Sequence, residues 1–226
     1  SGVPRDLHSF PTRRSSDLID GFAGEDCWIG VDLASKVDIA AMVVMFRRVI
    51  KGQAHYYIFP FSFLPDEAAW GEDKAHYSGW EHDGYRTWTP GNMIDFSAIE
   101  DKLKDISRRH NVLHVAHDPW NAAQFVDRMQ REGIEMIEVP QTTSHLSEPM
   151  KEIDGLVRAG RFHHAGDPCF DWMVANVVAR IDANDNMFPR KERIEHKIDG
   201  AVAMICAMAV AMRQQPKRPL MMPVAI

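Results

Sequence analysis

The sequence predicts an α/β fold in which helices flank a mixed sheet, made of an antiparallel meander plus parallel strands. Three apolar strands near residues 27–33, 39–47 and 54–63 are joined by short polar links, and short links favour antiparallel pairing. A strand–helix–strand run over residues 112–139 follows, and such a run predicts a right-handed parallel crossover. Hydrophobic residues make up 45% of the 226 residues, so a sizeable core is expected.

Helical periodicity predicts the flanking layers. Over residues 95–110, apolar side chains recur at helical spacing behind a sequence that resembles a capping box. Further helices are predicted over 120–132, from Ser147 to about residue 159, from about residue 167, and over 194–213. Pro149 would lie in the first turn of the helix capped by Ser147.

The inner faces of two of these helices are predicted from spacing alone. They are Met150, Ile153 and Val157 on one helix and Phe170, Met173, Val174 and Val177 on the other. Residues 177–191 are compatible with a continued helix or with a β-hairpin, and the sequence leaves both open.

The two ends of the chain differ from its middle. Residues 1–18 show neither helical nor strand periodicity and are interpreted as a non-native or disordered leader. Residues 19–215 are predicted to form one domain, and the Pro-rich residues 216–226 a flexible tail. Residues 64–93 combine glycines, prolines and aromatic residues into a long irregular excursion, and long loops are often functional.

Composition excludes several classes of protein. The formal net charge of −6 argues against a protein coated in basic charge, so nucleic-acid contacts would have to be local. The three cysteines contain no CxxC, which argues against a zinc ribbon and a disulfide framework. No membrane association is expected, because the apolar stretch 198–212 carries Asp199 and is shorter than the roughly 20 residues that span a bilayer.

Three aspartates stand at the edge of the predicted core. Asp32 ends the first apolar strand, Asp118 ends the strand over 112–117, and Asp199 opens the last apolar helix. Converging carboxylates bind hard cations such as Mg²⁺ or Mn²⁺. Two such ions about 3.5–4 Å apart can stabilise both the attacking and the leaving oxygen when a phosphodiester is cleaved. The alternative for each residue is an ordinary turn former or helix cap. Their joint placement predicts a two-metal catalytic site.

Other residues are weaker candidates for the same site. Three accessory candidates follow from position. Asp38 is a candidate outer ligand of the metal, Lys191 a candidate contact to the scissile phosphate, and His196 a candidate to assist the metal site. Their structural alternatives are a turn residue, a solvated lysine and a surface histidine. Basic residues that are candidates for phosphate contact are Arg47, Arg48, Lys51, Arg108 and Arg109.

The order of strands, helices and acids is the layout of a ribonuclease H-like fold, and four segments resemble one family with that fold. The segments are Ile29–Ser35, His117–Ala122, Val139–Glu152 and Lys197–Ala203, and together they span roughly residues 27–212. They resemble the nuclease domain of the large terminase subunit of tailed bacteriophages. The resemblance implies an endonuclease that cuts concatemeric double-stranded DNA during genome packaging. It implies Asp32, Asp118 and Asp199 as metal ligands.

The resemblance also implies a setting: the cytoplasm of an infected bacterial host, with the portal and small terminase subunit as further partners. No GxxxxGK[ST] phosphate loop occurs in the chain, so we expect a nuclease domain without a packaging ATPase. Two alternatives remain open. One is a resolvase or transposase on the same fold, and the other is a noncatalytic docking module that uses the excursion 64–93.

Overall fold

The computed structural model of the chain describes residues 18–33, 39–66, 86–120, 122–193 and 195–213. The predicted tail lies outside these residues, as do most of the excursion and residues 1–17 of the predicted leader. The described part starts at Leu18, which was assigned to the leader but packs against the core beside Phe22. No helix in the described part of the chain is long and apolar enough to cross a membrane.

Strands and helices alternate along the second half of the chain, after an initial run of strands. The strands are β1 (Asp26–Asp32), β2 (Ala40–Ile50), β3 (Gln53–Pro65), β4 (Arg86–Thr89), β5 (Asn111–His117), β6 (Met136–Glu138), β7 (Phe162–His164), β8 (Val177–Ile181) and β9 (Met187–Lys191). The helices are α1 (Phe96–Arg109), α2 (Ala123–Arg131), α3 (Thr143–Arg158), α4 (Pro168–Ala175) and α5 (Asp199–Arg213).

The main sheet is mixed, as predicted. Its strand order is β4-β3-β2-β1-β5-β6, with β1, β2 and β3 antiparallel and β5 and β6 added in parallel beside β1. The short strands β4 and β7 both pair in parallel with β3, at its end and its beginning. Strands β8 and β9 form a separate antiparallel hairpin, so residues 177–191 are a β-hairpin and not a continued helix.

Alternating side chains of the central strands feed two cores, one on each face of the sheet. On β1, Cys27, Ile29 and Val31 point to the face covered by α1 and α2. Trp28 points to the opposite face, which is covered by α3 and α5. Helix α5 is buried almost along its whole length, so it forms the middle of that second core.

Gly30 allows α5 to approach β1 very closely. A Cβ atom at position 30 would lie 1.9 Å from the carbonyl oxygen of Ala203 and 2.7 Å from the backbone nitrogen of Ala207. Only a residue without a side chain fits under this helix. The helix that begins at Asp199 is thereby held against the strand that ends at Asp32.

The prediction for α3 was wrong at its start. The helix begins at Thr143, four residues before Ser147, so Pro149 lies inside the helix and not in its first turn. Ser147 is not the cap: its buried hydroxyl accepts a hydrogen bond of 3.0 Å from the backbone N–H of Met187. Val157, predicted to be buried, is 56% exposed, and Leu156 packs into the core in its place.

Helix α4 begins where it was predicted. The Asp167 carboxylate caps it by accepting from the N–H groups of Cys169 and Phe170. Two of the four residues predicted for its inner face are not there: Val174 is 39% exposed, and Val177 lies beyond the end of the helix, as the first residue of β8.

Candidate active site

Strand pairing places Asp32 at the carboxyl end of β1 and beside the end of β5. Val31 is in register with His117, the last residue of β5, so Asp32 and Asp118 leave two neighbouring parallel strands at the same edge. Asp32 follows Trp28 and Gly30 at two-residue spacing, which directs its side chain to the face covered by α5. Both carboxylates are partly buried.

Asp118 has a structural role in its own turn. Its Oδ1 atom accepts a hydrogen bond of 2.8 Å from the backbone N–H of Trp120, the pattern of an Asx turn. Asp118 therefore does form a turn, which was the alternative to a metal-binding role in the sequence analysis. It does not exclude a second role, because an ionised carboxylate has about four lone-pair positions.

Gln141 joins the two aspartates. Its side-chain Nε2 donates to Asp32 Oδ1 over 3.1 Å, and its backbone N–H donates to Asp118 Oδ2 over 3.3 Å. Gln141 was not among the predicted site residues, because an uncharged residue after a short strand does not by itself indicate a metal site. Its place within the segment Val139–Glu152 was the available clue.

Asp32, Asp118 and Gln141 share one open cavity of about 440 Å³. Pro119, Trp120 and Thr142 complete most of its lining, and the side chain of Trp120 is 79% exposed at this point. A cavity this open, with two carboxylates in its wall, can admit a hydrated cation and an extended substrate.

Asp199 is the first residue of α5, and its Oδ2 atom is buried. The helix was predicted to start near residue 194, five residues too early. The same helix carries Cys206, whose thiol pKa is raised above its usual range. Burial is the main cause, and the negative charges of Asp32 and Asp118 add to it. The charges of both aspartates therefore reach the face of the sheet that α5 covers.

The structure brings two of the three predicted aspartates into one cavity. Asp199 is not among the residues that line it. Across the described residues, no three His, Cys, Asp or Glu side chains form a group that could hold a metal ion. The donor chemistry of Asp32 and Asp118 nevertheless fits Mg²⁺ or Mn²⁺, which take carboxylate oxygens.

The accessory candidates lie at different places. Lys191 ends β9 at an exposed position, and His196 is partly buried three residues before Asp199, with its Nδ1 atom shielded from solvent. Asp38 lies outside the described residues. Neither Lys191 nor His196 lines the cavity of Asp32 and Asp118.

The basic residues predicted as phosphate contacts lie at the end of the sheet opposite to Asp32. Asp32 pairs with Ala41, whereas Cys27 at the other end of β1 pairs with Phe46, so Arg47, Arg48 and Lys51 follow at the far edge. Arg48 forms an ion pair with Glu25. Arg109 forms one with Asp20 over 2.6 Å, and Arg108 precedes it in the same last turn of α1.

Comparison with known proteins agrees with this architecture. A family model described as the terminase large subunit, endonuclease domain, matches residues 17–215. Protein YmfN of Escherichia coli strain K12 is 32% identical over 204 residues, which are 86% of this chain and 45% of that protein. The terminase large subunit of Enterobacteria phage HK97 is 27% identical over 192 residues, 81% of this chain and 37% of that protein. The chain thus spans less than half the length of these relatives.

Solved structures show the same fold. The HK97 bacteriophage large terminase superposes with a TM-score of 0.73 at 23% identity, covering 89% of this chain and 43% of that one. The large terminase nuclease from thermophilic phage G20c with bound magnesium gives a TM-score of 0.51 at 15% identity, covering 81% and 80%. A cobalt-bound structure of the same nuclease gives the same TM-score. The ribonuclease H-like prediction is confirmed.

Proposed function

Because the chain belongs to the family of terminase large subunit endonuclease domains, we propose that it cuts concatemeric double-stranded DNA during phage genome packaging in a metal-dependent reaction. The observation that carries this proposal is the pair of carboxylates, Asp32 and Asp118, in the wall of one open cavity. The family match favours this function over a resolvase or transposase. The carboxylate pair favours it over a noncatalytic docking module.

We propose Asp32, Asp118 and Asp199 as ligands of two Mg²⁺ or Mn²⁺ ions. Bound ions of this kind activate a water molecule and stabilise negative charge on the phosphate and the leaving 3′ oxygen. The protein's own part is to hold carboxylates at fixed points. Two strand ends fix Asp32 and Asp118, and Gly30 sets how closely the helix carrying Asp199 approaches. The G20c nuclease, a structural neighbour, was solved with magnesium and with cobalt.

The charge of the site makes DNA binding depend on the cation. Two carboxylates in one cavity repel the phosphates of DNA, and the formal net charge of −6 offers no general compensation. The uncharged side chain of Trp120 is exposed at the rim of the cavity and is positioned to contact DNA. We also propose that the protein acts in the cytoplasm of an infected bacterium, with the portal and small terminase subunit as partners.

The test is plasmid nicking by the purified chain with Mg²⁺, with Mn²⁺ and with excess chelator. Cleavage should need the metal, and Asp32→Asn, Asp118→Asn and Asp199→Asn should each lower the rate by roughly 100-fold or more, since metal-supplied stabilisation is worth several kcal/mol. Asp101→Asn is the matched control, because Asp101 is an exposed carboxylate on α1, on the other face of the sheet. Undiminished cleavage in chelator would refute the metal requirement. A parental rate in Asp199→Asn alone would remove Asp199 from the ligand set.

A further inference from the structure

Gln141 lies where the chain passes from one strand of the sheet into a helix. Strand β6 runs parallel to β5, with Glu138 in register with His117, and the N–H of Val139 donates to the His117 carbonyl over 2.8 Å. The chain leaving β6 therefore passes directly beside Asp118. Thr142, the N-cap residue of α3, follows, and its N–H donates to the Pro140 carbonyl over 2.8 Å. The backbone of Gln141 is fixed on both sides.

From this position Gln141 supplies one hydrogen-bond donor to each aspartate. The backbone N–H is directed at Asp118 Oδ2 and the side-chain amide at Asp32 Oδ1. Each contact uses one lone pair and leaves others on the same carboxylate for a cation. Two amide donors also offset part of the repulsion between the two negative charges, which otherwise opposes their approach.

We propose that Gln141 is a positioning residue of the cation site: it orients the Asp32 carboxylate and sets its separation from Asp118. This inference rests on the proposed function, since it assumes that both aspartates bind the metal. Groups that orient metal ligands typically matter about 10–100-fold for metal affinity or activity. The side chain acts on Asp32 alone, because the contact to Asp118 comes from the backbone and survives any substitution except proline.

The test measures metal affinity directly, without DNA. Gln141→Met keeps the length and approximate volume of the side chain and removes the donor. Mn²⁺ binding followed by electron paramagnetic resonance should weaken by about 10–100-fold. Gln130→Met is the control, since Gln130 is exposed on α2. In nicking assays the Mn²⁺ concentration for half-maximal rate should rise by a similar factor, while the rate at saturating Mn²⁺ stays near that of the parent.

Gln141→Asn provides a second variant that keeps an amide but shortens its reach by one methylene, and it should show the same weakening. A residue that only fills space would lower the melting temperature and leave Mn²⁺ affinity unchanged. Parental Mn²⁺ affinity in either folded variant would overturn the inference. A parent chain that binds no Mn²⁺ would instead refute the proposed function, so the two failures are distinguishable.

Discussion

The substitution Gly30→Ala tests the contact between the central strand and the last helix. The added Cβ would lie 1.9 Å from the Ala203 carbonyl oxygen and 2.7 Å from the Ala207 nitrogen. Carbon–oxygen contacts lie at about 3.3 Å or more, so α5 has to move away from β1 by roughly 1.4 Å. Both obstructing atoms belong to the backbone of one helix, so no side-chain rotation can relieve the clash.

We expect this variant to lose stability and activity together. Overpacking costs about 1–3 kcal/mol in a well-packed core, occasionally more, and a backbone clash belongs at the upper end of that range. The displaced helix carries Asp199, and a misplacement of about 1 Å can lower a catalytic rate by about 100-fold. Urea unfolding gives the free energy change, and plasmid nicking with Mn²⁺ gives the rate.

Gly155→Ala is the matched control. Gly155 is exposed inside α3, and a Cβ there would meet nothing within 4 Å. Alanine should stabilise this helix by about 0.5–1 kcal/mol and leave nicking unchanged. The free energy of unfolding of Gly30→Ala could instead lie within about 0.5 kcal/mol of the parent's, the usual range for a surface substitution. If this variant also nicks DNA normally, α5 does not pack on β1 as described.

Three further substitutions test individual contacts. Asp118→Asn should abolish nicking and lower the melting temperature by only about 2–4 °C, because asparagine can still accept from the Trp120 N–H, although its amide nitrogen cannot accept from the Gln141 N–H; a collapsed melting temperature would show that the residue is mainly structural. Ser147→Ala should cost about 1–3 kcal/mol in urea unfolding, because the Met187 N–H loses its acceptor, whereas a loss below about 0.5 kcal/mol would mean that another group accepts this N–H. The pKa of His163 is held below its usual range by burial first and then by His55 and His164. In the unfolded chain His163 binds a proton more readily than in the folded protein, so the free energy of unfolding should fall as pH drops below about 6.5. His163→Gln should flatten that part of a melting-temperature profile, and a curve parallel to the parent's would exclude this origin.

The sequence predicted the elements that have strong periodicity or a clear boundary. Strands β1, β2, β3 and β5 each contain a long apolar run, and Pro168 marks the start of α4. The start of α5 was placed near residue 194, before Asp199, because the polar residues there do not interrupt helical periodicity. The short strands β4 and β7 were missed, because three or four residues show no alternation. The start of α3 was misplaced because Ser147 and Pro149 imitate a helix start, although tertiary contacts bury both within the helix.

The candidate site was predictable in part for a similar reason. A carboxylate after an apolar strand can be recognised in a sequence, and parallel pairing of β1 with β5 brings Asp32 and Asp118 together. The role of Gln141 depends on which strand lies beside which, and that information is in the topology. Charge can be counted in a sequence, whereas the end of the sheet on which it lies cannot, so the distance of Arg47, Arg48 and Lys51 from Asp32 was not predictable.

The position of α5 after all the other described helices and strands affects how a growing chain can fold. During synthesis, a nascent chain that ends before Asp199 has one face of its sheet only partly covered, by α3, since α5 forms the middle of that core. It also lacks one of the three proposed ligands. A partly made chain is therefore expected to be unstable. The core on this face of the sheet can close only after α5 has been synthesised, although the strands that it covers come much earlier in the sequence.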